Sequence, residues 1–562
     1  MTTQAASLRV RRVRVLLAAT AVALGMLVGA LGGLQSASAH AVLVSSTPAD
    51  GSRVDASPRQ VVLTFDESIQ LVPGTARVIS STGGRADTGR AHLTPAGTGI
   101  AIPLQPDLPR GSYTVTWRVI SADTHIVAGS IAFGVRQPAS ERATAAAPPS
   151  SLDIVAQTAN GVAYAGVILC FGIPALTLTL WRRSRRVWTL RVLIVVGWWA
   201  LATATVVDFV LQGPRAADAG WPGVLRFVDV GQTVASAYGV ALICRAVLLA
   251  GIAALGLLGR RSRRSSTIAA VLAVGVLITI AWGGHAATGS DVVVALLAAT
   301  VHLAAMAVWI GGLLVLLIGV LPGVVADKEN LARLRRWSLI AFVSVVALVL
   351  SGEYQAWRQI QPLPSLWSTP YGITLLIKLV LVAIALVFAL LAQRALTRRV
   401  RRVGHESHSE SDRDASSGVV RTVRRSVIAE TVVVAAVVAV TTVLTALPPA
   451  SGTYGPPVSL SAPLSTDSGL VVDIDPTQRG PEQITITPHR ADGAPLSIQS
   501  MTATLSSEQN DVAAITVRLH RDGDLWRSVN AVVPLAGTWT ITFDVSVDQA
   551  SGYATQVSYQ VW

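Results

Sequence analysis

The spacing of apolar residues changes character three times along the chain, and each change marks a boundary. Arg9, Arg11, Arg12 and Arg14 lead into an apolar run from Val15 to about Leu34, which closes on the small residues Ala37-Ser38-Ala39. A basic start, an apolar stretch and an Ala-x-Ala end form the layout of a cleaved secretory signal, so residues 1–39 are expected to be removed and His40 to become the first residue of the mature chain. From His40 to about Arg136 the alternation has period two in short runs, Gln60 to Phe65, Ala76 to Ser80, Ser112 to Ile120 and Ile126 to Val135, separated by Pro, Gly, Asp and Ser. This predicts a small all-β domain over 40–136, a Greek-key sandwich or barrel. Residues 137–152, rich in Ala, Pro and Ser, read as a flexible tether.

Eight apolar stretches follow, near 154–180, 188–211, 232–258, 267–288, 293–320, 336–358, 371–395 and 426–447. Each is long enough to cross a hydrocarbon layer of about 30 Å, which predicts an eight-helix transmembrane bundle over 153–448. The basic groups sit in every second loop: Arg182 to Arg186, Arg260 to Arg264, Lys328 to Arg336 and Arg398 to Arg402. That asymmetry places the basic loops in the cytoplasm, and the cleaved signal independently places His40 outside. An even number of crossings returns the tail, 449–562, to the outer side. The tail alternates again, as in Thr538-Trp-Thr-Ile-Thr-Phe-Asp-Val545, and predicts a second extracytoplasmic β-sandwich.

Composition agrees with a membrane chain. Of 562 residues, 51% are hydrophobic and only 14% charged, too apolar for an ordinary soluble protein. A net charge of +13 would fit nucleic-acid binding if the cations were gathered on one surface, but they lie in loop blocks between apolar runs, so no nucleic-acid partner is expected. The two cysteines, Cys170 and Cys244, lie inside apolar runs and form no metal pattern, so the N-terminal β domain must be held by its core alone.

The candidate chemistry starts at His40. An N-terminal histidine offers a metal its free amine and its imidazole in one chelate ring, a pair suited to Cu(II), which prefers tetragonal nitrogen and oxygen ligands. The segment Ser121-Ala-Asp123-Thr-His125, at the end of the strand-like run from Tyr113, adds a carboxylate and a second imidazole. Asp123 and His125 are two apart, and strand side chains have period two, so both are expected on one face. Each feature alone has a bland reading, an accidental histidine at a cleavage site or a solvated strand end, and it is their coincidence that points to a metal centre.

At these residues the sequence resembles the periplasmic copper-binding CopC family, through His40-Ala-Val-Leu, Leu63-Thr-Phe-Asp-Glu67 and Ala122-Asp-Thr-His125, over roughly 40–136. The resemblance implies Cu(II) held by the His40 amine and ring, His125 and Asp123, with Glu67 as an outer hydrogen-bond acceptor that orients a ligand. Some CopC proteins carry a methionine-rich Cu(I) site as well. The segment 40–136 contains no methionine, so only the Cu(II) site is expected.

Within the apolar stretches, ionisable residues are costly and mark function or pairing. They are Asp208, Arg245, Glu353, Lys378 and Glu430. Arg245 and Lys378 close a short repeat, Tyr238-Gly-x5-Arg245 and Tyr371-Gly-x5-Lys378, four crossings apart, which predicts two parallel halves with Asp208 and Glu353 at matching positions. His285 follows Trp282-Gly-Gly near an outer helix end. His302 and Met306 are one helical turn apart and share a face, an imidazole and a thioether that together suit Cu(I). The plain alternative is a helix contact, since Gly311 and Gly312 admit close packing.

Gly284-His285-Ala, His302 with Trp309-x-Gly-Gly312, Tyr371-Gly-x5-Lys378, and Glu430 followed by Pro448-Pro449 resemble the CopD family of inner-membrane copper proteins. The tail, through Leu535-Ala-Gly-Thr-Trp539, looks like a YtkA-like domain over a shorter span. The whole is similar to a CopC–CopD fusion, which implies a multi-pass plasma-membrane protein for copper uptake and homeostasis. His285, His302 and Met306 are then transit candidates, and an outside donor or reductant a further partner. No ATP-coupling motif is present. The rival readings are a copper enzyme of the histidine-brace type, disfavoured by the Asp123 ligand, and a non-transporting sensor or buffer. His405 and His408 lie in a charged Ser-rich loop and read as solvated, and His489, His520 and Met501 as surface or packing residues.

The amine chelate is directly testable. One alanine added ahead of His40 turns the amine into an amide and should abolish tight Cu(II) binding in a competition titration, and binding by the unextended protein should weaken below about pH 7.7, where the amine is protonated. Unchanged affinity in the extended protein refutes the assignment.

Overall fold

The computed structural model describes residues 41–562 apart from 42, 73, 123–125, 138, 140–149, 182–186, 218, 227–229, 232, 235, 259–261, 285–290, 321–327, 404–410, 530, 534 and 548–550. Residues 1–39, His40, Asp123, His125, His285, His405 and His408 thus lie outside the described residues.

Alternation builds the N-terminal domain. One sheet has the order β1 (Leu43–Thr47), β3 (Gln60–Phe65), β7 (Gly99–Pro103), β6 (His92–Leu93). The other has the order β2 (Arg53–Val54), β9 (Ile126–Val135), β8 (Gly111–Ser121), β4 (Ile69–Leu71), with β5 (Arg77–Ser80) also paired to β8. Val61, Leu63, Phe65, Ile100 and Ile102 from the first sheet meet Val115, Trp117, Val119, Ile131 and Phe133 from the second in one buried core. Each such side chain stabilises the fold by about 1.5–3 kcal/mol on burial. Two facing sheets make this a sandwich, and the predicted strands at 60–65 and 126–135 fall where period two put them.

The middle of the chain is helical: α1 (Ser151–Thr179, with a π-helical turn at Ile168–Gly172), α2 (Trp188–Ala216), α3 (Ala237–Leu258), α4 (Arg263–Trp282), α5 (Val292–Val320), α6 (Lys328–Gln359), α7 (Pro370–Val403) and α8 (Ser411–Leu444). Among the described residues, seven of these are long and apolar enough to cross a membrane, and the apolar part of α8 is the shorter Ile428–Leu444. Helix α4 stops at Trp282, short of the expected 288, because Gly283 and Gly284 follow and glycine is a poor helix former.

Helices α1 and α5 cross backbone against backbone. A Cβ on Gly172 would stand 1.9 Å from the Ala307 carbonyl oxygen, and one on Gly311 would stand 2.5 Å from the Gly172 carbonyl carbon. Gly312, on the neighbouring face, receives the Trp337 ring of α6. The close packing expected of this glycine pair is therefore present, with small residues allowing the approach.

The predicted repeat is visible in the bonds. Arg215 at the end of α2 pairs with Asp153 at the start of α1 (2.9 Å), and Arg358 at the end of α6 pairs with Asp291 just ahead of α5 (3.2 Å). Ser236 Oγ accepts the Gly239 N–H (2.9 Å) where α3 begins, and Thr369 Oγ1 accepts the Gly372 N–H (3.1 Å) where α7 begins. Counting from these anchors, Tyr164 is eleven residues beyond Asp153, as His302 is beyond Asp291, and Asp208 is seven before Arg215, as Ser351 is before Arg358. The match of Asp208 with Glu353 is thereby corrected to Asp208 with Ser351, because the arginine pairs set the register more tightly than position along an apolar run.

The tail folds as β-sheets. In the strand Gly537–Ser546, Trp539, Ile541, Phe543 and Val545 point into a core that includes Leu470, Ile486 and Met501, while His520 is exposed. The tail domain meets the first one: Arg479 pairs with Asp66 (3.1 Å), and the Arg479 N–H donates to the carbonyl of Trp562, whose own N–H donates to Thr477.

Glu482 is buried in this tail domain, accepting from the Tyr559 hydroxyl at 2.5 Å. Burial pushes its carboxyl up to about 8 from 4.5, a shift the bond from Tyr559 only partly offsets. The folded chain then holds a proton that the unfolded chain releases, so this group's contribution is full below the unfolded value and is lost as pH rises through the folded one. Hydrogen exchange of the strand Gly552–Val561, corrected for intrinsic rates, should show protection falling between about pH 5 and pH 9, and E482Q should flatten that fall. An unaltered slope in E482Q contradicts it.

Candidate metal centre

Strand register brings three segments of the β domain to one end. β1 pairs with β3 through Leu43↔Phe65, so the chain ahead of Leu43 runs beside the corner Asp66-Glu67. β4 pairs with β8 through Ile69↔Ser121, so the same corner runs beside the end of β8. Glu67 Oε1 accepts the Ala122 N–H at 3.3 Å. The Glu67 carboxylate is thus bonded to the residue immediately before Asp123, and its expected bond to a metal ligand concerns residues that lie outside the described ones.

The argument that placed Asp123 and His125 on one strand face does not reach them. β8 ends at Ser121, β9 begins at Ile126, and Ile120↔Ile126 is the last pair between them, with Asp123 and His125 outside the described residues.

The end of β8 is seated on the helical domain. Ile120, Val72 and Ala216 bury one another, and Arg118 Nη1 donates to the Arg215 carbonyl oxygen at 3.0 Å. The end of β8 is therefore adjacent to the end of α2. No signal in the sequence announced this contact, since Val72, Ile120 and Ala216 are ordinary apolar residues of three separate elements.

Two polar clusters lie within the helices, one in each half. In the second, His302 Nδ1 is 3.0 Å from Ser351 Oγ, and the Ser351 hydroxyl is directed at the Ala347 carbonyl at 2.5 Å. Since a hydroxyl has one proton, Ser351 accepts from Nδ1–H, and the His302 ring also meets the Leu348 carbonyl. Met306, one turn on, packs against the apolar cluster of Trp309, Ile310 and Trp337. Lys378 lies within electrostatic reach of His302, and Glu430 is buried beside Trp309. In the first half, Asp208, Gln212 and Arg245 are buried, with Tyr164 and Tyr238 beside them. Tyr238 packs on Gly283, two residues before His285. Among the described residues no three His, Cys, Asp or Glu side chains are gathered closely enough to hold a metal ion by themselves.

Comparison with known proteins agrees in each region. Residues 43–136 match the CopC domain model, 151–294 the copper resistance protein D-like N-terminal domain, and 331–444 copper resistance protein D. Copper resistance protein C of Pseudomonas syringae pv. tomato is 37% identical over 21% of this chain and 93% of its own. The chain belongs to the CopC–CopD copper resistance family. Copper transport protein CutJ of Bacillus subtilis (strain 168) is 25% identical over 90% of this chain and 92% of its own, so the order of domains is shared along the length. The crystal structure of CopC from Methylosinus trichosporium OB3b matches 19% of this chain and all of that one at 30% identity, with a TM-score of 0.16. With its apolar helices and CopD region, this family member is a multi-pass membrane protein.

The Glu67 contact gives a quantitative expectation for the CopC-type domain. E67A removes a charged hydrogen bond worth about 1.5–3 kcal/mol, so Cu(II) affinity should fall roughly tenfold to a hundredfold, while E67Q, which keeps an acceptor oxygen, should restore most of it. Equal affinities of wild type and E67A in competition titration count against the anchoring role.

Proposed function

We propose that this protein captures Cu(II) outside the cell membrane through the His40 amine and ring, Asp123 and His125, and delivers copper inward through its helical bundle. The observation that carries this reading is the seating of the end of β8 on the end of α2, through Ile120, Ala216 and Arg118. Donor and acceptor are thereby in permanent contact, and transfer replaces a bimolecular search by a local step. The relative that is similar along most of the chain is named a copper transport protein, which supports the same reading.

His302 and Met306, with His285 beyond α4, form the inner part of the route. The imidazole of His302 and the thioether of Met306 favour Cu(I), so a one-electron reductant outside the cell, itself oxidised in the step, converts Cu(II) before it reaches them. Both β domains lie on the outer face. The ion pair between Arg479 and Asp66 supports this, since the two domains that flank the bundle in sequence must share one side to touch. It also agrees with the basic loops lying in the cytoplasm.

Cells expressing H302A at matched membrane levels should accumulate several-fold less copper than cells expressing wild type, measured by elemental mass spectrometry after a short pulse. Equal accumulation contradicts transport and leaves a sensor or buffer.

A further inference from the structure

Helices α2 and α3 enclose a groove of about 490 Å³, walled by Trp198, Ala202 and Val206 on one side and by Ala246, Ala250 and Leu257 on the other. Val206 and Leu257 are 58% and 86% exposed, so the groove opens on the outer, lipid-facing side of the bundle. Its polar side chains are satisfied from within the protein. Trp198 Nε1 donates across the groove to the Leu249 carbonyl at 3.1 Å, and Thr205 Oγ1 donates to the Leu201 carbonyl at 2.8 Å. With no side-chain donor left in want of a partner, the groove suits a hydrocarbon guest and would penalise a polar one.

Length and charge identify the guest. From Ala246 to Leu257 the wall on α3 is roughly 17 Å long at 1.5 Å per residue, close to half of a hydrocarbon layer of about 30 Å. A helix of a second copy crossing the membrane would need a face nearly twice as long, whereas a lipid chain fills one leaflet. The bond from Trp198 to Leu249 also sets which ends coincide. Arg191, two turns before Trp198 on the same face of α2, lies at the end where α3 reaches Leu257. Helix α4 packs on α3, with Leu272 against Gly251 and Leu248 against Gly275, and it begins at that end with Arg263 and Arg264. All three arginines are exposed, and the pattern of basic loops makes this the cytoplasmic end.

We propose that the groove between α2 and α3 binds an anionic phospholipid of the cytoplasmic leaflet, with one acyl chain in the groove and the phosphate at Arg191, Arg263 and Arg264. Guanidinium groups match phosphate oxygens in both charge and geometry, and basic residues between helices at the cytoplasmic surface select anionic headgroups. A zwitterionic lipid offers the same chain, but its ammonium offsets the attraction. The lipid then lies along the helix whose opposite end, at Arg215 and Ala216, receives β8. This inference does not depend on whether the protein transports copper.

The test titrates the full-length protein in detergent with phosphatidylglycerol or with phosphatidylcholine of the same chain length, and reads bound lipid by native mass spectrometry. One tightly held phosphatidylglycerol per chain is expected, bound several-fold better than phosphatidylcholine. R191Q should weaken phosphatidylglycerol roughly fivefold, and R263Q with R264Q by at least as much, while phosphatidylcholine is unaffected by either. Arg182 to Arg186, Arg260 and Arg261 remain in these variants to keep the chain's orientation. A250W, which fills the groove, should weaken both lipids. Equal binding of the two lipids by wild type, unchanged preference in both arginine variants, or unchanged binding in A250W overturns the proposal. So does a dimer that A250W abolishes, which would make the groove an interface between copies. If A250W does not reach the membrane, the smaller plug A250L takes its place, and the exposed arginine variants decide the headgroup independently.

Discussion

Arg118 reaches from β8 to the main-chain carbonyl of Arg215, while Val72, Ile120 and Ala216 close over one another beside it. This seat fixes how the β domain meets the helices. A guanidinium on a helix-terminal carbonyl is favourable in both charge and geometry, because the last carbonyls of a helix lack partners within it. The apolar trio adds burial to that bond, and Arg215 is itself held by Asp153 from the first turn of α1. The outer domain is thus locked to two helices at once.

From this seat the polar chemistry runs inward along a repeated framework. The Asp153–Arg215 and Asp291–Arg358 pairs, the Ser236 and Thr369 caps and the Gly172–Gly311 crossing show two halves built alike. The side chains hung on this framework differ: Tyr164 stands where the other half has His302, and Asp208 where the other half has Ser351.

The tail domain packs on the first β domain. Its Arg479 pairs with Asp66, next to Glu67, and Glu67 holds the main chain at Ala122. Two consecutive acidic residues therefore tie the corner after β3, one to the tail and the other to the end of β8.

Much of this was legible in one dimension. Period two in Gln60–Phe65 and in Thr538–Val545 located buried faces, because a strand buries alternate residues whatever its partners. Length and hydropathy located the helices, because a bilayer imposes them on any spanning segment, and Gly311-Gly312 announced a close crossing, because only small residues admit one. His302 and Met306 were legible as a pair, since one helical turn fixes their common face. What the sequence could not contain were relations between distant elements. It matched Asp208 to Glu353 by position, and only the arginine pairs corrected the register to Ser351. It read Asp123 and His125 as strand neighbours, and both lie outside the described residues, β8 ending at Ser121 and β9 beginning at Ile126. The seat on α2 and the bond from Arg479 to Asp66 were invisible, because a local pattern records which face of an element is buried and not what buries it. Local spacing determined the elements and the donor types, and tertiary packing alone decided which donors face one another.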